Sequence, residues 1–516
     1  MTAAELIQRG AEHHRDRTAV IFNSERRTFE QINQGANRLA HALFALGLSK
    51  GERVAILLNN SIESLLVDFA LLKSGLVRVP INTRLAPLEM TRMLEETESR
   101  LLLAGPPFVD RVRNISPATP LMKAVIGGAV DDPSPLIALD PIVAEMGDAE
   151  PGVSIDESDL ATLQYTSGTT GVLKAAMHTQ ETWAAIAINI LTNIPIEPDD
   201  IMLHCAPLTH AAGTLVLPHW IRGALNAILP GFHPQEFLQA VDRLQPTTLN
   251  LVPTMIAMLL AQPNLNKYSF ESVRQIIYGA APIPTETLRH GLSRWGQKFV
   301  QYYGQTESPL LLTMLAAEEH DLSTPAGQQH LLSSGRVLPT VQLKVVDDAG
   351  QPLPLGEIGE LAVKSRQNMV GYWRAPDLTR ATMTDDGWIR TRDLGYLDSD
   401  GYVYLVDRKS DMIITGGFNV YPREVEEVLY QHPAILEAAV IGIPDPTWGE
   451  AIKAIVVLRE GQTATPEEIA DWCRQRLAGY KQPRSVDFAA SLPKSPVDKV
   501  LRRVLRDPYW PETRRI

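Results

Sequence analysis

The chain has 516 residues, 45% hydrophobic and 21% charged, values ordinary for a globular protein that exclude long disorder, a collagen-like chain and a coiled coil. Acidic residues outnumber basic ones 60 to 48, a net charge of −12, which excludes wholesale nucleic-acid binding through a basic surface. Two cysteines build neither a disulfide framework nor a cysteine-rich metal site, no uncharged apolar run reaches the roughly 18 residues of a membrane span, and the first residues lack the order of a secretory signal. The expectation is a large cytoplasmic enzyme.

Strand and helix signals alternate over the first hundred residues. Thr18–Phe22 reads as a strand, and Thr28 with Gln31 has the spacing of a capping box. Behind it Ile32, Ala36, Leu39, Ala40 and Leu43 keep a helical period that stops at Gly47. Then come a strand at 54–58, a helix over 61–73, a strand at 77–81, a helix over 87–96 and a strand at 101–104, the rhythm of βαβ units around a largely parallel sheet. Residues 106–157, rich in Pro, Gly and Asp, read as irregular connections. The αβ rhythm returns after Leu160 and runs to about residue 335. From there to about 406, VQLKVV, ELAVK and YVYLV alternate with turn signals and predict antiparallel sheet. The last hundred residues predict a compact α+β unit, with helices over 422–430 and 466–477 and strands at 437–443, 451–458 and 485–490. The segment DRKSDMIITGG between these parts is the candidate hinge.

The strongest local signal is YTSGTTGVLK, Tyr165 to Lys174. Thr166, Ser167, Gly168, Thr169, Thr170 and Gly171 supply accessible backbone N–H groups and hydroxyls, and Lys174 a mobile positive charge, as a polyphosphate requires. No Ser or Thr follows the lysine, so it is not a Walker A loop. By itself the segment fits a phosphate cradle or a flexible surface turn. In QYYGQTE (Gln301 to Glu307), an aromatic beside Gly304 can stack on a flat heterocycle, a hydroxyl can reach a phosphate, and Glu307 is a hard oxygen donor for Mg²⁺. By itself it also fits a strand end with an ordinary helix cap.

YTSGTTGVLK, YGAAPIP, YGQTE, GYWRAPDLT, GWIRTRDLGYLD, DRKSDMIITGGFNVYPREVE and LPKSPVDK occur in this order between Tyr165 and Lys499. Together they closely resemble the adenylate-forming superfamily of acyl-CoA synthetases, luciferases and carrier-loading adenylation domains. The resemblance implies an α/β fold. Its large, multi-subdomain amino-terminal domain (1–409) has αβαβα-layered sheets and a β-barrel-like part, and a small α+β domain (410–516) swings about Ser410. It implies that a carboxylic acid attacks the α-phosphate of MgATP to give acyl-AMP and pyrophosphate, and that a thiol, usually CoA, then displaces AMP. The glycine/threonine loop with Lys174 matches the β,γ-phosphate cradle, Thr306 the α-phosphate contact and Glu307 the magnesium ligand. Tyr303 matches the adenine-stacking ring, set against a wall of Gly279, Ala280 and Ala281, and Asp393 with Arg408 matches the pair on the ribose hydroxyls. Taken alone, Asp393 reads as a turn aspartate before Gly395. Lys499 matches the catalytic lysine of the small domain, Gly416 and Gly417 the thiol's path, and Trp448, Tyr480 and Arg484 contacts to CoA. Trp448 equally suits the core of the small domain.

His210 in APLTHAAGTL matches the gate of the acyl pocket, with Ala211, Ala212 and Gly213 leaving room, while Thr254 and Tyr278 belong to its apolar wall. A core histidine is the other reading of His210. The segments Ala206–Leu215 and Val252–Leu259 contain no aspartate for an amino-acid ammonium and no arginine for a dicarboxylate, which points to an uncharged fatty, aromatic or alicyclic acid. Family positions usually occupied otherwise are Leu173 (proline), Ala175 (glycine), Arg392 (glycine), Asp498 (glycine) and Ser410 (Asp or Lys). Two alternatives stand beside the synthetase: an acyl-AMP ligase loading a carrier protein, and a catalytically silent nucleotide-binding homologue. A homodimer is a further expectation.

Overall fold

The computed structural model describes residues 1–128, 135–166, 174–494 and 500–510. Thr28 accepts from the Gln31 N–H at 3.2 Å and Gln31 returns a bond to the Thr28 N–H at 2.9 Å, starting the helix Phe29–Ala45. Ser61 caps Ile62–Ser74 in the same reciprocal way. The apolar stripe Ile32, Ala36, Leu39, Ala40 and Leu43 is buried, as its period requires.

These units build two large sheets. One has seven strands in the order Ile137–Ala138, Met122–Val125, Leu101–Ala104, Arg53–Leu57, Val77–Pro80, Leu160–Thr166, Lys174–Thr179, parallel except for the last pair. The other has nine strands with a parallel centre of Phe299–Gln305, Gln275–Tyr278, Thr248–Leu251, Ile201–His204, Leu225–Ile228 and Thr18–Phe22, and antiparallel strands at both ends. Helices of both units meet around the fully buried Trp220, whose ring lies 4.4 Å from Phe29 and 4.9 Å from Phe69. This shared helical layer gives the αβαβα stacking that the resemblance implies.

The barrel-like part is a four-stranded antiparallel sheet of Gln342–Val346, Gly359–Lys364, Ile389–Leu397 and Val403–Arg408. It sits between the edges of the large sheets: Tyr402 bridges Arg336 of the nine-stranded sheet, and Tyr372 bridges Ala176 of the seven-stranded one. The small α+β unit is a five-stranded sheet with helices Pro422–Tyr430 and Pro466–Arg474 packed over a core that includes Val425, Leu429, Val440, Ile452 and Ile469.

One expectation needs correction, and further strands lie where the sequence gives no strand signal. Residues 106–157 are not wholly irregular, since Met122–Val125 and Ile137–Ala138 add two strands and Val109–Arg113 and Leu139–Glu145 form helices. These elements are too short to show a period, and pairing to an existing sheet makes them strands. Glu25–Thr28 is an exposed, charged edge strand whose composition hides it. In the candidate hinge, Ile413–Thr415 is a strand, paired in a hairpin with Phe418–Val420.

The two large sheets are also tied by Asn60, whose amide donates to the carbonyls of Ala206 at 2.9 Å and Leu229 at 3.2 Å while its oxygen accepts from the Leu208 N–H at 2.9 Å. Asn60→Ala leaves three buried backbone groups unpaired just ahead of His210. We expect a loss of about 1–3 kcal/mol, read as a lower midpoint of thermal unfolding; an unchanged midpoint would show that these bonds carry no stability.

Candidate active site

In parallel α/β sheets ligands collect at the carboxyl ends of strands, and there the candidate residues converge. Thr166 ends Leu160–Thr166 and pairs across the sheet with Lys174, which starts the next strand. Ser167, Gly168, Thr169, Thr170 and Gly171 lie between them, outside the described residues. Tyr278 ends its strand and is followed by Gly279, Ala280 and Ala281, with Ala280 in the left-handed region at φ 66°. Gly304 lies at a register shift near the end of Phe299–Gln305, and Thr306 with Glu307 forms the turn to Ser308–Leu315. A cavity of about 390 Å³ lined by Arg17, Asp199 and Arg243 lies at the opposite, amino-terminal ends of strands Thr18–Phe22 and Ile201–His204.

The Thr306–Glu307 turn is held from two sides. His178, on the edge strand Lys174–Thr179, has Nε2 2.9 Å from the Thr306 carbonyl. Burial lowers its pKa to about 4, so the ring is neutral and Nε2–H is the donor. The Met369 N–H donates to the Glu307 carbonyl at 2.8 Å. The Glu307 carboxylate accepts from the Tyr372 hydroxyl at 2.6 Å, and the Lys174 ammonium lies 5.8 Å from the centre of the Tyr372 ring. Burial and the neighbouring Arg392 lower the pKa of Lys174, against the pull of Glu307. His178 and Tyr372 were not singled out by sequence. Tyr372 lies inside a quoted motif, whereas only tertiary packing brings His178 to the turn.

A second group adjoins the first. Asp393 and Arg408 are cross-strand partners with Arg408 Nε 3.5 Å from the carboxylate, so Asp393 is a strand residue and not a turn aspartate. The Tyr303 hydroxyl donates to Asp393 at 2.6 Å. Burial first, and the Asp393 carboxylate second, hold the Tyr303 hydroxyl well above its ordinary pKa, so it remains a donor. Arg392, where the family usually has glycine, sits at φ 62°. A left-handed backbone at such a residue costs roughly 1–2 kcal/mol.

At the expected acyl position His210 is half-buried. Its Nε2 lies 3.2 Å from the Asn82 amide nitrogen and its Nδ1 3.0 Å from Thr209 Oγ1. An amide nitrogen only donates, so Nε2 accepts and Nδ1 carries the proton. Burial lowers the pKa of His210, keeping it neutral. Ala211 is exposed at the start of the turn Ala211–Leu215, Ala212 is in the core, and Thr254 is half-buried with no hydrogen-bond partner for Oγ1 among the described residues. At Gly213 the Leu208 carbonyl occupies the place of a Cβ, so only glycine fits there, while Tyr278 departs from the acyl-pocket expectation. Tyr278 is fully buried, with its hydroxyl 3.1 Å from Gln301 and 2.9 Å from His320, so it supports the floor without exposing surface.

On the small unit Gly416 (φ 57°) and Gly417 (φ 83°) make the two-residue turn of the hairpin, which needs a positive φ at both positions. A Cβ on Gly416 would lie 2.7 Å from the Trp448 ring. Trp448 is 44% exposed and so is not core. Arg484 lies 5.2 Å over Trp448, and Tyr480 stacks on the exposed Phe418 at 4.7 Å. Tyr480, Arg484 and Trp448 thus belong to one exposed aromatic and cationic face, with Phe418 a member that sequence reasoning missed.

Ser410 is exposed, and its carbonyl accepts from Arg506 at 3.1 Å. Beside it Arg502 lies 2.6 Å from Glu426, 3.4 Å from Asp411 and 3.8 Å from Asp407. Lys499 and Asp498 lie outside the described residues; their flanks are joined by a bridge between Lys494 and Val500. The small unit touches the large one through Glu427, which accepts from Thr285 Oγ1 at 2.6 Å, and Arg423, which donates to the Leu405 carbonyl at 2.9 Å. No described helix is long and apolar enough to cross a membrane.

Comparison with known proteins adds an independent finding. A family model described as AMP-binding enzyme matches residues 7–373, and one described as AMP-binding enzyme C-terminal domain matches residues 424–499. The chain is 34% identical over 516 residues to fatty acid–[acyl-carrier-protein] ligase ScoC of Streptomyces coeruleorubidus, covering 98% of this chain and 96% of that protein. It is 35% identical over 492 residues to a feruloyl-CoA synthase of Amycolatopsis sp, covering 95% of each. It is 35% identical over 491 residues to long-chain-fatty-acid–CoA ligase FadD13 of Mycobacterium tuberculosis, covering 94% of this chain and 93% of that one. The fold matches the crystal structure of ATP-bound MatB from Rhodopseudomonas palustris with a TM-score of 0.89 at 30% identity, covering 99% of each chain.

The carboxylate cluster around Arg502 has a measurable signature. Burial first, with Glu426 and Asp411 adding to it and Arg502 opposing, raises the pKa of Asp407 from 3.8 to about 6. The folded state therefore binds this proton more tightly than the unfolded one, so stability falls as pH rises from about 4 to 6, by about 3 kcal/mol in all. Asp407→Asn removes this penalty. The thermal midpoint of the variant relative to the parent should rise between pH 4.5 and 7, and an equal offset at both pH values would contradict the assignment.

Proposed function

The chain belongs to the AMP-binding enzyme family, and from that premise we propose that it is an ATP-dependent acyl-CoA synthetase acting on an uncharged, apolar carboxylic acid. The observation that carries the reading is the meeting, at one set of strand ends, of Lys174, Tyr372 and Glu307 with Tyr303, Asp393 and Arg408. One group suits a metal-bound polyphosphate and the other a nucleoside. A carboxylate held between a tyrosine and an arginine accepts from vicinal ribose hydroxyls. We assign the Tyr303 ring to adenine, with Gly279, Ala280 and Ala281 as the wall.

Glu307 fits Mg²⁺. It offers one carboxylate, and among the described residues no three His, Cys, Asp or Glu side chains gather to hold a metal. One carboxylate would suffice to hold Mg²⁺ at a nucleotide site, where phosphate and water commonly complete its ligands. When bound it neutralises phosphate charge. Thr306 contacts the α-phosphate, and Lys174 with the preceding loop holds the β- and γ-phosphates. Lys499 bridges the attacking carboxylate and an α-phosphate oxygen, offsetting the charge that gathers as the acyl–phosphate bond forms and pyrophosphate leaves. In the second step a thiol attacks the acyl carbon and AMP departs. We take 410–516 as the moving part and Ser410 as its pivot, with the face of Trp448, Tyr480 and Arg484 receiving CoA.

The names of the relatives support a fatty or aromatic acid, as does an acyl side of neutral His210, Ala211 and Thr254. This reading puts the enzyme in the cytoplasm, where ATP and CoA are supplied; homodimerisation is testable by light scattering. The functional test is pyrophosphate release across a panel of carboxylic acids, with and without CoA. We expect release with fatty, aromatic or alicyclic acids, and AMP and acyl-CoA once CoA is added. Acyl-AMP that persists with CoA but transfers to a carrier protein would move the enzyme to the carrier-loading class. No pyrophosphate exchange with any acid would leave a silent nucleotide binder.

Lys499→Ala should lower adenylation at least a hundredfold, in line with losing a charge-stabilising group, while thioester formation from supplied acyl-AMP stays near the parent rate. Equal loss in both steps would refute a role confined to the first. Ser410→Pro restricts the pivot torsions and should slow the overall reaction more than adenylation alone.

A further inference from the structure

Within the candidate site Arg392 is the residue whose backbone and side chain are hardest to account for by folding. It stands in the left-handed region at φ 62°, in a bulged stretch of Ile389–Leu397 where glycine would fit without strain. Both of its peptide groups are fixed: its N–H donates to Glu360 Oε1 at 3.0 Å, and its carbonyl accepts from the Lys409 N–H at 3.0 Å. The side chain is exposed, one residue before the Asp393 held by Tyr303. Among the described residues its guanidinium makes no hydrogen bond and no ion pair.

Arg392 is nevertheless within electrostatic reach of Lys174 and of the Glu307–Tyr372 pair, raising the cost of protonating Lys174. Two cations thus lie close to each other, and the Glu307 carboxylate beside Lys174 already accepts a hydrogen bond, in a chain whose net charge is −12. A strained backbone and a repelling lysine both work against the arginine, and among the described residues no side chain pairs with its guanidinium. An anion between the two cations would offset that repulsion. A guanidinium presents a planar fork of donors that matches two phosphate oxygens, whereas an ammonium acts as a point charge.

We propose that Arg392 is a second polyphosphate-binding cation beside Lys174, taking the β,γ-diphosphate of ATP and retaining it as free pyrophosphate after the acyl-adenylate forms. The assignment rests on the functional reading above. It gives Arg392 a share of the charge that develops on the leaving diphosphate, and it separates diphosphate binding from nucleoside binding, which belongs to Asp393 and Arg408.

Calorimetric titration of the full chain with ATP, AMP and pyrophosphate in the presence of Mg²⁺ tests it. Arg392→Gly removes the cation and relaxes the backbone. Affinities for ATP and for pyrophosphate should each fall about tenfold or more, the usual scale for a charge-assisted contact. Affinity for AMP should stay within about twofold, and the thermal midpoint should not drop. Losses below about twofold for both ATP and pyrophosphate would overturn the proposal, as would an equal loss for AMP, which would trace the effect to a displaced Asp393. A fall for ATP alone would confine the contact to the bound nucleotide and overturn pyrophosphate retention. A parent protein that binds neither ATP nor AMP would instead overturn the functional reading itself.

Discussion

The 2.6 Å hydrogen bond from the Tyr303 hydroxyl to Asp393 joins the carboxyl end of the nine-stranded sheet to the four-stranded sheet, and the site is arranged around that junction. Tyr303 belongs to the strand that ends in the Thr306–Glu307 turn, and Asp393 to the strand that faces Arg408. The seven-stranded sheet closes the third side through His178 and Lys174. Each sheet therefore contributes one wall, and no single sheet contains the chemistry. The bond is durable because burial and the adjacent carboxylate both keep the phenol protonated.

Charge is distributed unevenly across this junction. Lys174 and Arg392 lie on the side of Glu307, Arg408 pairs with Asp393, and the acyl side holds a histidine kept neutral by burial. These three environments match, in that order, what the proposed function requires for a polyphosphate, a nucleoside and an apolar acid. The histidine is part of the fold as well as of the pocket, since Asn82 and Thr209 fix its ring and Asn60 holds the preceding loop against both large sheets.

The small unit is tied to the end of the strand Val403–Arg408 by a largely buried arginine. Arg502, three residues beyond Lys499, faces Asp407, Asp411 and Glu426, and Arg506 reaches the Ser410 carbonyl. Three carboxylates around one guanidinium are not a simple gain in stability, because desolvation offsets much of the attraction. Their effect is positional: the helix Arg502–Arg506 is tied to the end of the strand Val403–Arg408. The glycine pair 416–417 has a local reason of its own, the positive torsions of a two-residue hairpin, and it carries Phe418 and the neighbouring Trp448 into the open.

The sequence by itself determined the elements whose signals are local. Capping boxes at Thr28 and Ser61 and the period of Ile32 to Leu43 act within a few residues, so they appear where they are written. The ordered motifs from Tyr165 to Lys499 likewise pointed to the family and to most of the candidate nucleotide residues, because each motif is contiguous in the chain. Tertiary structure alone decided what depends on distant partners. Met122–Val125 is a strand because a sheet edge lies beside it, and Gly213 is filled by the Leu208 carbonyl. His178 and Arg392 reach the site from strands that the chain order separates widely. Periodicity reports which face of an element is buried; it carries no information about what that face meets, and the chemistry of this protein lies in those meetings.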